Sequence, residues 1–116
     1  MVVDTQGATR ADRVFHALAD PTRRDIVRRC MIGGHSVSDL ARSYPMSFAA
    51  VQKHVATLHT AGLVSKERRG RERIVHTEIA AIHHAHHLLD GLEELWRERM
   101  ERFGGILAES EEGADT

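Results

Sequence analysis

Ala11, Val14, Phe15 and Leu18 recur at three- and four-residue intervals, the spacing that gathers apolar side chains on one face of an α-helix. Asp20-Pro21 follows. An aspartate able to cap, and a proline whose missing N–H has no partner to lose, predict the start of a second helix. Ile26, Val27, Cys30 and Met31 form its expected inward face, and Gly33-Gly34 ends it. Ser36-x-x-Asp39 has the form of a capping box for a short third helix carrying Val37, Leu40, Ala41 and Tyr44, which Pro45 terminates. Ser47 caps a fourth helix whose stripe of Val51, Val55 and Leu58 points inward as far as Gly62. On a helical wheel Ala49, Gln52, Lys53, Ala56 and Thr60 fall on the opposite side.

The period then changes. Leu63 to Arg68 and Arg73 to Thr77 predict two short strands, with Arg69-Gly70-Arg71 as the hairpin loop between them. Residues 79–107 predict one long helix, its apolar ribbon made by Leu88, Leu89, Leu92, Leu95, Trp96, Met100, Phe103, Ile106 and Leu107. That ribbon is too wide and too long for the core of one small domain, so a partner helix is expected to cover part of it, most simply in a symmetric dimer. Gly91 weakens the helix by about 1 kcal/mol relative to alanine, and Gly104-Gly105 is expected to fray its end. Residues 1–8 and 109–116 lack periodicity and are expected to be tails flanking one domain, residues 9–108.

Composition narrows the class. A chain of 116 residues with 41% apolar content supports one small core. No basic cluster precedes an apolar run at the start, and no apolar stretch nears the roughly 20 residues of a membrane span, so a soluble cytoplasmic protein is expected. Cys30, the single cysteine, can form no internal disulfide and supplies no paired zinc spacing. The formal net charge of −1 conceals an asymmetry: residues 1–78 hold 13 Lys and Arg against 8 Asp and Glu, whereas the remainder holds 3 against 9. One half is suited to meet a polyanion. The density peaks in KERRGRER, residues 66–73, with five basic residues around Gly70.

The order of elements is mainly α with a small β-hairpin wing, a winged helix-turn-helix whose recognition helix begins at Ser47. Double-stranded DNA is the expected partner. Ser47, Phe48, Ala49, Gln52, Lys53 and His54 are expected at or near the major groove, where Gln52 can offer a bidentate amide to adenine and Lys53 can reach guanine or a phosphate. Arg68, Arg69, Arg71 and Arg73 are expected along the phosphate backbone or the adjacent minor groove. His54 lies between the inward and outward faces, so a phosphate or the preceding helix is its expected neighbour.

FHALADPTRRDIV at 15–27, SVSDLARSYPMSFAAVQKHVATLHTAGLV at 36–64 and RRGRERIV at 68–75 resemble the ArsR/SmtB family of bacterial winged-helix repressors, in particular the branch marked by an ALADPTRR-type start. The resemblance covers about residues 13–103. It implies homodimers built through the first and last helices, here around Val14, Phe15, Leu88, Leu92, Leu95, Trp96 and Phe103, that bind a pseudo-palindromic operator and repress transcription. Two positions depart from the pattern. Phe48-Ala49 stands where that branch often has Arg-Pro, which removes a cation, and the segment SVSDLARS carries none of the cysteines of the family's thiol metal site.

Three further features invite chemistry. His83, His87, Asp90 and Glu94 recur at i, i+4, i+7 and i+11 and could offer nitrogen and oxygen ligands to zinc, nickel or cobalt. The competing reading is a solvated histidine face, and no cofactor is expected, with a divalent transition metal as the alternative. Cys30 sits where the helix pattern asks for an apolar residue, favouring an inert buried thiol over a redox sensor. Trp96 suits core or dimer packing better than a ligand pocket. No phosphate-cradling glycine loop, zinc-protease pattern or nucleophile elbow is present, so catalysis is not expected. A helix-mediated protein-interaction module without DNA binding is the remaining alternative.

Overall fold

A computed structural model describes the backbone of residues 5–114 and the side chains of residues 9–105. In chain order the elements are α1 (Thr5–Leu18), α2 (Pro21–Ile32), β1 (His35–Ser36), α3 (Val37–Arg42), α4 (Phe48–Thr60), β2 (Val64–Arg69), β3 (Glu72–Thr77) and α5 (Ile79–Ala114). The chain divides into two compact units, residues 1–85 and residues 86–116.

The first unit is the winged helix-turn-helix. Asp20 caps α2 by accepting from the Arg23 backbone N–H at 2.9 Å, and Pro21 opens the helix. Arg23 and Arg24 then turn back to the end of α1. Arg23 Nε donates to the Ala17 carbonyl at 2.8 Å and Arg24 Nη1 to the Leu18 carbonyl at 2.8 Å. These carbonyls have no intrahelical N–H to accept from, and they carry the negative end of the helix dipole. Ser36 Oγ caps α3 from Asp39 N and Ser47 Oγ caps α4 from Ala50 N, each at 3.1 Å.

At the far end of α4, Leu63 N bonds to the Leu58 carbonyl and Gly62 N to the His59 carbonyl, both at 3.0 Å, while Gly62 takes a φ of +76°. This is a Schellman stop, which favours glycine because a side chain is strained at that φ. It turns the chain directly into β2.

The core forms where the inward faces meet. Val51, Val55 and Leu58 of α4 pack in one buried cluster with Val14, Ile26 and Leu40. Met31, expected on the inward face of α2, is instead 53% exposed. The sheet has three antiparallel strands in the order β1-β3-β2. The two-residue β1, paired through His35↔Val75 and Ser36↔Ile74, was not expected, because two residues carry no periodic signal. The wing turn is tighter than expected: Arg69 pairs with Glu72, leaving Gly70-Arg71 as the loop. Positive φ is confined there to Gly70 at +59°, as in a type II′ turn.

The second unit is the continuation of α5, on which every described side chain is exposed. Two boundaries differ from expectation. Helical backbone reaches back to Thr5 in α1 and runs on to Ala114 through Gly104-Gly105, so neither expected tail is wholly non-helical and no fraying begins at the glycine pair. Each glycine weakens a helix by about 1 kcal/mol but keeps its backbone hydrogen bonds, and residues of high helix propensity flank the pair. The ends of both expected tails, residues 1–4 and 115–116, and the side chains of Ile106 and Leu107 lie outside the described residues.

Candidate nucleic-acid interface

The capped end of α4 stands free of the core. Ser47, Phe48, Ala49, Gln52 and Lys53 are all exposed: burial of Val51, Val55 and Leu58 turns Ala49, Gln52 and Lys53 outward, and Phe48 is exposed at the first position of the helix. Ser47 Oγ is occupied by its cap. His54 turns aside: its side chain is 21% exposed, with Nδ1 at 3.3 Å from Arg23 Nη1 and 4.0 Å from Asp20 Oδ2. These partners belong to the start of α2, not to α3, the helix immediately before α4. The carboxyl of Asp20 is held below the usual range, chiefly by the Arg23 backbone N–H and then by the charges of His54 and Arg23.

Strand alternation sorts the wing arginines. Arg68 and Arg73 are cross-strand partners, on the face that carries Val64, Lys66 and Val75. Lys66, Arg68 and Arg73, together with His59 from the end of α4, line a groove of about 310 Å³. A second groove, about 260 Å³, joins Phe48 and Gln52 to Arg71, Glu72 and Arg73 of the wing and to Ser36 and Ser38 at the start of α3. Arg69 projects from the opposite face and lies 3.9 Å from Glu67. The wing tip and α4 therefore share two grooves, to which Arg68, Arg71 and Arg73 contribute and Arg69 does not.

Several cations away from the grooves are engaged locally, Arg23 and Arg24 on the α1 carbonyls and three others on carboxylates. Arg28 and Arg29 are paired with Asp25, and Arg42 with Asp39. Among the described residues Lys53, Lys66, Arg71 and Arg73 have no carboxylate within ion-pair distance. His59 and Lys66 were not among the expected contacts. Lys66 was legible in principle, lying two residues before Arg68 on the same strand face, but His59 joins the groove only through the packing of α4 on the wing.

A lock behind α4 fixes its entry. Tyr44 Oη donates to Asp25 Oδ2 at 2.6 Å, Arg29 Nε donates to the same oxygen at 2.7 Å, and the Arg29 guanidinium lies 5.3 Å from the Tyr44 ring centroid. The Tyr44 hydroxyl, then Arg28 and Arg29, hold the Asp25 carboxyl far below the usual range, while burial and that carboxylate push the Tyr44 hydroxyl up.

The remaining expected sites are distributed differently. Val14, expected at a dimer contact, is 0% exposed within the single chain; its surface is spent on the core, and only Phe15 of that pair remains half-exposed. Leu88, Leu92, Leu95, Trp96 and Phe103 are exposed along α5. Among the described residues no three His, Cys, Asp or Glu side chains gather in a way that could hold a metal ion. Asp90 instead lies 3.4 Å from His86 Nδ1. Cys30 is buried and burial pushes its thiol up to about 11, the environment expected of an inert core thiol.

The sequence pattern of the bacterial regulatory protein arsR family matches residues 20–66. The HTH-type transcriptional regulator Rv2034 of Mycobacterium tuberculosis is 36% identical over 108 residues, 90% of this chain and 94% of the relative. The chain belongs to the arsR family. The transcriptional repressor SdpR of Bacillus subtilis is 32% identical over 60 residues, 52% of this ArsR-family chain and 67% of SdpR. Among solved structures, an ArsR-like transcriptional regulator from Rhodococcus sp. RHA1 superposes with a TM-score of 0.76 at 29% identity, covering 85% of this chain and 93% of that one. Like these relatives, the ArsR-family chain is a transcriptional regulator with a DNA-binding winged helix-turn-helix, not an enzyme. Among its described residues no helix is long and apolar enough to cross a membrane.

Proposed function

We propose that the protein is a cytoplasmic homodimeric repressor that binds a pseudo-palindromic operator near its own or neighbouring genes. The observation that carries this reading is the pair of grooves that α4 shares with the wing, lined by Gln52, Arg71 and Arg73 in one and by His59, Lys66, Arg68 and Arg73 in the other. A 13-residue α4 is about 20 Å long and fits a major groove about 12 Å wide. The uncompensated cations then meet phosphates on either side, where each neutralised phosphate releases a counterion.

Dimerisation is supported by Leu92, Leu95, Trp96, Met100 and Phe103, which stay 40–65% exposed at helical spacing on α5. A stripe of that kind is stable in water when a second copy covers it, and a two-fold dimer would present two recognition helices to half-sites about one helical turn apart. Repression follows if the bound dimer occludes the promoter, and SdpR, the similar B. subtilis protein, is itself a repressor. The reading uses no metal.

The test is a mobility-shift titration of the full chain on the DNA upstream of its gene, at several salt concentrations, with zinc and with a chelator. A salt-dependent, sequence-preferring shift indifferent to both is expected. Absence of any salt-dependent shift would overturn the reading in favour of a protein-interaction module, and a shift that requires zinc would restore the histidine cluster as a sensor.

A further inference from the structure

We propose that Phe48 reads the C5 methyl group of a thymine in the major groove and, with Gln52, makes the protein select A·T pairs within each half-site. This rests on the DNA-binding reading above and concerns what the interface recognises. Phe48 is the first residue of α4 and is 47% exposed. A phenylalanine left this open in the free protein has apolar area still to remove from water, and its ring carries no donor for a phosphate.

The two grooves differ in the chemistry they admit. The groove of His59, Lys66, Arg68 and Arg73 contains no acid and suits a phosphate. The groove of Phe48 sets an apolar ring and the Gln52 side chain opposite Arg71, Glu72 and Arg73 of the wing; the arginines suit a phosphate on the wing side, whereas the ring has no donor for one and suits a base edge. Among the major-groove edges, only thymine presents a methyl group.

Gln52 lies one turn after Phe48 on the same exposed side and lines the same groove. Four residues of helix rise by about 6 Å, so the two side chains reach within about two base-pair steps of one another. A glutamine amide pairs bidentately with the N6 and N7 of adenine, and Phe48 would contact the thymine of that pair or of its neighbour. Ala49, exposed beside them, lets the backbone approach closely enough for a ring at the first helical position to reach a base edge.

The experiment begins by selecting preferred sites from random duplex DNA with the full-length protein, then replaces each thymine of the selected site singly by uracil, which deletes only the methyl group. One replacement per half-site is expected to weaken wild-type binding about fourfold, the factor for burying one such group. Phe48→Ala, at an exposed position, is expected to bind the thymine and uracil sites equally at that position while its circular dichroism and melting match wild type. Gln52→Ala is expected to lose the adenine preference within two steps of it.

Enrichment of a site whose uracil versions all bind wild type as well as thymine does, or a Phe48→Ala variant that keeps the full loss, would overturn the assignment and leave the regulator reading intact. Failure to enrich any sequence would overturn both.

Discussion

Tyr44 and Asp25, 19 residues apart in sequence, meet through a 2.6 Å hydrogen bond that ties the turn before α4 to the middle of α2. Hydrogen bonds to charged groups contribute about 1.5–3 kcal/mol, and partial exposure of Asp25 discounts this one. Tyr44→Phe is therefore expected to destabilise the fold by about 1–2 kcal/mol in chemical denaturation. Because the bond holds the Asp25 carboxyl below its ordinary value of 3.8, the difference between wild type and variant should be fully present above about pH 4 and vanish as pH falls through the depressed folded-state value. A difference that persists unchanged into strong acid would contradict the role assigned to the carboxylate.

Lys66 and His59 extend the phosphate-facing groove beyond the arginine tip. Lys66→Ala should weaken binding on specific and random DNA alike and reduce the slope of log K against log salt by about 0.9, whereas Arg69→Ala, on the opposite wing face beside Glu67, should change the slope little. Equal slopes for wild type and Lys66→Ala would remove Lys66 from the interface.

Val14 and Trp96 should separate stability from assembly. Val14→Ala empties part of a closed core and is expected to cost about 2 kcal/mol of folding stability, with sedimentation still reporting the same oligomer. Trp96→Ala, at a side chain 60% exposed in the single chain, should leave the first unit's stability alone and raise the dimer dissociation constant at least tenfold, about 1.4 kcal/mol or more. A dimer unaffected by loss of Trp96 and Leu95 together would mean that another surface carries it.

Cys30 should ignore alkylating reagents at neutral pH until the protein unfolds. Its folded-state value near 11 exceeds the ordinary thiol value of 9.0, so the unfolded chain releases this proton first. Stability should consequently fall as pH rises from about 9 and the dependence should level off past about 11. Rapid native-state labelling at pH 7 would show an access route to the thiol.

Gly34→Ala should destabilise although the residue sits in an exposed loop. A Cβ there would lie 2.6 Å from Ile74 Cγ2 and 2.5 Å from His76 Cε1. The histidine can swing away, but Ile74 is branched at its own Cβ and cannot, so an overpacking cost of about 1–3 kcal/mol is expected. An unchanged melting temperature would place the β1 edge farther from this loop than the structure does.

Much of the first unit was legible in order because its signals are local. A side chain that caps a helix three residues away, an apolar stripe recurring every three or four residues, and a glycine that stops a helix all act over one or two turns. Asp20, Ser36 and Ser47 cap the helices they were expected to cap, and Val51, Val55 and Leu58 point inward as their spacing dictates. The outward placing of Ala49, Gln52 and Lys53 followed from the same geometry, whereas the exposure of Phe48 did not, since its spacing to Val51 and Val55 puts it on the inward side.

What the sequence alone could not decide depends on contacts between elements. Val14 reads as well on a dimer face as in a core, and only the presence of Ile26 and Val55 in the same buried cluster assigns it. The four wing arginines look equivalent along the chain until strand register sends Arg68 and Arg73 to one face and Arg69 to the other. His59 and Lys66 become neighbours only because α4 packs on the wing, and Asp25 finds Tyr44 only because α2 lies against the turn. Local periodicity determines which way a side chain points from its own element; what it meets there is decided by the packing of elements remote in sequence, where burial and charge pairing select one partner among many.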